Sequence, residues 1–331
     1  MASGVICGFF LLAATLRVFI TPERATHPVP RNRRPTHAGS WYTSDAAELS
    51  SQLNDWLGSA EVSCGVARAI IAPHAGYSYS GPCAAWAYKH IQPDGIKRVF
   101  LLGPSHGFYS PKCLLSACAA YDTPIGSLPI DAAIYQQLAA TGQFDEMSVS
   151  VDEREHSLEM HLPYIVQVMG QRQYTLVPIM VGAINEAAEQ RFGRLLAPYL
   201  ADPENLFVIS SDFCHWGERF GFSYHDPRHG GEIYQSVEAL DRKGMVCIEC
   251  QDPNAYASYQ REFNNTICGR HPIAVLLNAL SALKENNNNN NGGQQQHWQS
   301  QLKFVRYEQS SQARRPEDSS VSYASAVVWE G

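Results

Sequence analysis

"VARAIIAPHAGYSYSG", residues 66–81, decides how this chain folds. Ala67–Ala72 is apolar apart from Arg68 and rich in small and β-branched residues, the pattern of a strand buried on both faces. It stops at Pro73, His74, Ala75 and Gly76. A lone imidazole at a strand end is ordinarily a polar group satisfied by nearby backbone, but the same layout recurs twice. Residues 98–102 run into "GPSHGFY", with His106 just past a Gly-Pro turn, and residues 206–211 run into "DFCHWG", with Asp212, Cys214 and His215. In an open α/β sheet, ligands sit in the crevice outside the carboxyl ends of the strands. That crevice is predicted to hold at least three imidazoles.

Outward from this stretch, short apolar runs alternate with helical periods. Strands are predicted at 67–72, 98–102, 174–181, 206–211, 302–307 and 322–328, and helices at 82–91, 131–140, 156–169, 186–200, 231–242 and 272–283. The alternation predicts an α/β fold with a largely parallel central sheet flanked by helices on both faces. A hydrophobic fraction of 45% supplies a sizeable core for the 331 residues. The formal charge of −7, with no Lys/Arg stripe interleaved with aromatics, argues against nucleic acid as a partner.

Residues 35–331 read as a single domain and residues 1–34 as a leader, either disordered or targeting. Within it "VICGFFLLAATLRVFI", residues 5–20, is too short and too interrupted by Arg17 for a firm membrane span. The tract "NNNNNNGGQQQ", residues 286–296, reads as a solvated low-complexity loop. The 9 cysteines are odd in number and scattered, which favours reduced thiols and the cytoplasm, with the leader leaving organelle import or export open. Cys247 and Cys250 form an isolated CxxC with no second half at zinc-finger distance, and read as two free thiols.

A further contributor is "TICGRHPI". Pro272 suits the first turn of a helix, so Cys268 is expected just before a helix N-terminus, where the dipole lowers a thiol's pKa. Two His and one soft anionic ligand suit iron, copper or zinc better than magnesium or calcium. In "EREHSLEMHLPY", His156 and His161 are about 140° apart on one helix, so only one of them is expected to face the site. Three readings stand on spacing alone: a metal centre, a thiol enzyme pairing Cys268 with His215 or His106, and an inert packed crevice.

The blocks "HAGSWYT", "RAIIAPHAGYSYSG", "LLGPSHGF", "DEREHSLEMHLPY", "LFVISSDFCHWG", "TICGRHPI" and "SSVSYA", in this order, resemble the Memo family, named for mediating ErbB-receptor-driven cell motility. The resemblance runs from about residue 34 to 328. It implies a fold like the class III extradiol dioxygenases, which cleave catechol rings at a non-haem iron held by two His and one Glu. His74 and His106 match the two His ligands, His215 matches the acid/base histidine, and Cys268 stands where the Glu belongs. The implied cofactor is an iron or copper ion, with zinc also compatible. With thiolate in place of carboxylate, ring cleavage is not expected, and other metal-dependent redox activity remains the alternative. The resemblance further implies a signalling protein that engages phosphotyrosine peptides of a receptor tyrosine kinase tail or adaptor and relays to cytoskeletal regulators. Trp41, Tyr77, Tyr79, His161 and Asp212 are the expected rim of that crevice.

Overall fold

The computed structural model describes Met1, residues 31–289 and residues 298–331. The apolar stretch 5–20 and most of the Asn/Gln tract lie outside these residues. The elements, in chain order, are α1 (Ala46–Ser59), β1 (Ala67–Ala72), α2 (Tyr77–Tyr88), β2 (Arg98–Pro104), β3 (Cys113–Ser116), β4 (Ala120–Thr123), β5 (Gly126–Pro129), α3 (Ala132–Ala140) and β6 (Phe144–Met147). Then come α4 (Val149–Arg154), α5 (His156–Glu159), α6 (Leu162–Met169), β7 (Thr175–Val181), α7 (Glu186–Ala201), β8 (Asn205–Ser210) and β9 (His215–Trp216). The remainder is α8 (Ile233–Glu249), α9 (Pro253–Phe263), α10 (Arg270–Asn289), β10 (Ser300–Gln309) and β11 (Ser320–Glu330).

One sheet runs β10-β11-β1-β8-β2-β7-β3-β6, with β9 paired to β11. Its centre, β1-β8-β2-β7, is parallel, so β1, β8 and β2 end on the same side. The flanks are antiparallel, through β11 on β1 and β3 on β7. Because side chains alternate across a pleated strand, each central strand feeds two cores. Ala69, Ile71, Phe100, Leu102, Phe207 and Ile209 join α7 and α10 on one face. Ile70, Ala72, Val99, Leu101, Leu206 and Val208 join α1, α2 and α6 on the other. No helix among the described residues is long and apolar enough to cross a membrane.

The helices start where short polar side chains can take up orphan backbone N–H groups. Asp45 accepts from Glu48 at α1, Asp131 from Ile134 at α3 and Asn185 from Ala188 at α7, at 2.8–3.0 Å. The expected single helix 156–169 is instead two. α5 ends at Glu159, and α6 restarts with Pro163 in its first turn, a position where the missing N–H costs nothing.

Two expected boundaries move. The folded domain starts before residue 35. Arg31 and Arg33 pair through backbone with Ala119, Ala120 and Asp122, and the Arg33 side chain is completely buried. The low-complexity tract is not wholly loop, since α10 continues through Asn289.

Candidate metal and ligand crevice

The carboxyl ends of β1, β2 and β8 open into a crevice of about 760 Å³, lined by His74, His106, His156 and His215 together with Asp212 and a wall of hydroxyls. His74 leaves β1 two residues past its end and is 1% exposed. Its Nδ1 lies 2.6 Å from Ser210 Oγ, and the Ser210 hydroxyl donates to the Ser157 carbonyl at 2.7 Å. Ser210 must therefore accept from His74, which puts the proton on Nδ1 and the ring's lone pair on Nε2. Burial, then the neighbouring His106 and His156, hold the His74 pKa well below the usual imidazole value.

His106 follows β2 and is oriented by Glu155. That carboxylate accepts from the His106 backbone N–H at 2.6 Å and from Nδ1 at 2.8 Å, so Nε2 is again the free nitrogen. Burial alone would raise the Glu155 pKa, but its hydrogen bonds and charge interactions with His106 outweigh burial and bring it to about 2. His156 stacks on His106 with ring centres 4.2 Å apart, and it also packs on Trp41 at 4.4 Å and edge-on to His74 at 5.4 Å. Burial first, then the His106 charge, lower its pKa to about 4. His215 gives Nδ1 to the carbonyls of Phe213 at 2.9 Å and Thr266 at 3.1 Å, so its Nε2 is likewise uncommitted.

One ligand atom each from His74, His106 and His156 falls within 4.8 Å of the other two, a spacing that could hold a metal ion. These are borderline nitrogen donors suited to iron, copper or zinc, and buried Ser210 and Glu155 fix two of the rings as outer-shell partners commonly do. The donor set therefore fits the group.

Cys268 stands outside that trio but touches it. Its Sγ is 3.1 Å from His74 Nε2, and it accepts from the Asp212 backbone N–H at 3.3 Å. It gets this close because Gly269 has no side chain; a Cβ there would come 2.3 Å from Ser211 Cβ. The expected lowering of its pKa at the head of α10 is reversed. Burial, then the Asp212 charge, push the thiol well above its ordinary value.

Of the expected rim, Trp41, Tyr79 and Asp212 line the crevice, with the Asp212 carboxylate accepting from the His74 backbone N–H at 2.8 Å. Tyr77 and His161 do not line it. Tyr77 is 4% exposed, packs on Tyr42, Trp56 and Tyr164, and donates to the Met160 carbonyl. His161 is buried against Tyr88, its Nδ1 at 2.8 Å from that hydroxyl, while its Nε2 has no hydrogen-bond partner among the described residues; burial lowers its pKa to about 3. The break between α5 and α6 decides this, because the two histidines do not share one helical phase. Pro163 was the readable signal. Sequence reasoning also missed Glu155, and it missed the far wall: Arg219, Phe220, Ser310, Ser311, Ser319 and Tyr323. The Arg219 guanidinium lies over the Phe220 ring at 4.3 Å and has no ion-pair partner among the described residues.

Fold and crevice together define an α/β protein with a histidine-rich pocket at the carboxyl ends of its parallel strands. Residues 33–327 match the family described as "Memo-like protein". The chain is 50% identical over 298 residues to "Protein MEMO1" of Homo sapiens, covering 89% of this chain and 97% of that protein. It is 51% identical over 298 residues to "Protein MEMO1" of Xenopus tropicalis, with the same coverage. It is 44% identical over 297 residues to "Protein memo-1 homolog" of Caenorhabditis elegans, covering 90% of this chain and 82% of that one. The chain therefore belongs to the Memo-like family. A crystal structure of an uncharacterised Escherichia coli K12 protein aligns at 12% identity with a TM-score of 0.45, over 77% of this chain and 98% of that one.

Proposed function

We propose that this chain is a cytoplasmic signalling protein whose crevice binds an iron or copper ion and docks a phosphotyrosine peptide from an activated receptor kinase or adaptor, relaying to cytoskeletal regulators. The observation that carries the metal part is the pair of imidazoles, His74 and His106, each with Nδ1 committed to a buried partner so that the lone pair is on Nε2, which in His74 faces the Cys268 sulfur. Cys268 or His156 completes the set. A bound ion would supply a Lewis-acidic, redox-capable centre on the crevice floor.

Phosphotyrosine is an anionic aromatic. Arg219, with no acidic partner among the described residues, the Ser310, Ser311 and Ser319 hydroxyls, and the rings of Trp41 and Tyr79 offer charge, donors and faces in one pocket. One arginine rather than a cluster keeps the expected affinity modest.

A second reading, a metal-dependent oxidoreductase or residual dioxygenase-like enzyme, draws support from His215, which borders the same space with an uncommitted Nε2. Elemental analysis of the purified protein and its Cys268→Ala variant, beside calorimetry with a receptor-derived phosphopeptide and its unphosphorylated twin, separates the readings. Phosphate-dependent binding, weakened in His106→Ala or His215→Ala, supports the first. Equal metal content in both proteins removes Cys268 from the ligand set. Catalytic turnover of a catechol to a yellow ring-cleaved product, with no phosphate-dependent binding, would overturn the signalling reading.

A further inference from the structure

The CxxC pair lies on α8 and takes no part in the crevice. Cys247 sits in the last turn of the helix, and Cys250 is its C-cap with φ −64° and ψ −13°, so the helical path is unbroken between them. Side chains three apart on such a path have Cβ atoms about 5–6 Å apart. A disulfide needs about 3.5–4.5 Å, a closure of roughly 1–2 Å. Cys250 is exposed and Cys247 half-buried against the core.

We infer that Cys247 and Cys250 are a reversible dithiol–disulfide site that reacts with small-molecule disulfides of the glutathione class. Cys250, the exposed sulfur, is where exchange starts. Its thiolate attacks one sulfur of the external disulfide, breaking that S–S bond and releasing one small thiolate. The Cys247 thiolate then attacks Cys250 Sγ in the mixed disulfide and displaces the second. Two cysteine thiols are oxidised, the external disulfide is reduced to two thiols, and the two cysteine protons end on those thiols. Burial raises the Cys247 pKa, with the neighbouring Cys250 adding to it and Lys243 opposing, which fits Cys247 as the resolving partner.

The ring closes against resistance, and this keeps it reversible. Glu249, between the two cysteines, accepts the Phe304 N–H at 2.7 Å, and Gln251, just after them, exchanges hydrogen bonds with Ser300 at 2.7 and 3.0 Å. These anchors hold the helix end in the open spacing. A disulfide formed there carries strain and is correspondingly easy to reduce.

The test is to incubate the full chain with glutathione disulfide and follow intact mass and peptide maps. The expected product has lost two hydrogens, maps to a Cys247–Cys250 link, and reverts with excess reduced glutathione. Cys247→Ser, at a half-buried position, is expected to stop at a glutathione adduct on Cys250. A persistent adduct on Cys250 in the unaltered chain, a link from either cysteine to any other, or no reaction would each overturn the inference.

Discussion

Arg33 Nη1 stands 2.6 Å from Glu159 Oε2, and both side chains are fully enclosed. The same guanidinium reaches Asp152 Oδ1 through Nε at 2.9 Å and donates to the Glu155 carbonyl at 2.8 Å. Glu159 in turn accepts from His37 Nδ1 at 2.8 Å and from the Tyr42 hydroxyl at 3.0 Å. The segment leading to Trp41 is thus bound to the segment that carries Glu155 and His156. The crevice depends on this contact although Arg33 does not line it.

Removing one partner of such a buried cluster strands the rest, at a cost of about 3–5 kcal/mol. A chain starting at residue 31 is expected to unfold in urea at a clearly higher midpoint than one starting at residue 35. Coincident midpoints would mean that Asp152 and Glu159 do not need Arg33.

Glu155→Gln keeps the shape of the His106 partner and removes its charge. If the crevice holds a metal, losing this outer-shell carboxylate should weaken metal retention about 10–100-fold. Competition against a coloured chelator measures it. Undiminished retention would show that His106 needs no orienting carboxylate.

The two histidines of 156–161 should behave oppositely. His156→Ala is expected to lower metal content, because its ring adjoins His74 and His106. His161→Leu is expected to leave metal content alone and to alter stability, since the ring packs on Tyr88. Elemental analysis of both variants reads this directly, and the reverse pattern would reinstate a single helical phase.

Asp241 supplies a pH signature away from the crevice ligands. It is fully buried and accepts from the Cys214 N–H, the Asn265 amide and the Tyr307 hydroxyl, yet burial outweighs these donors and raises its pKa from 3.8 to about 6. The folded state therefore holds a proton that the unfolded chain releases between roughly pH 4 and pH 6. The contribution is complete below that window and is lost as pH rises through about 6, amounting to roughly 3 kcal/mol. Asp241→Asn should flatten this part of the stability profile. Urea titrations at pH 4.5 and 7 would contradict the assignment if both proteins showed the same slope.

Much of this was legible in the sequence. Parallel strands buried on both faces read as unbroken apolar runs, so β1, β2, β7 and β8 stood out, and with them His74, His106 and His215 at their exits. α1 and α9 were not anticipated, although Asp45 and Asp252 cap them in the ordinary way. β3 to β6 have only four residues each, too short for a period to register. Glu155 and Arg219 could not be read as site residues at all, because a carboxylate that orients a ring and an arginine that borders a pocket are facts of three-dimensional proximity. The pKa of Cys268 failed for a similar reason. Helix direction is visible in sequence, but the enclosure that overrides it is not.

β11 lies between β10 and β1, with Ala67 opposite Trp329, and its residues Val321 and Tyr323 form part of the crevice wall. A ribosome must therefore extrude residues 320–330 before β1, already able to pair with β8, acquires its second neighbour. Until residues 320–330 emerge, His74 sits at the end of a strand with one edge bare, and no partly made chain can own a finished pocket. Premature termination ahead of residue 320 should yield a product with an open sheet edge, fit for aggregation or degradation rather than for a weakened version of the same work.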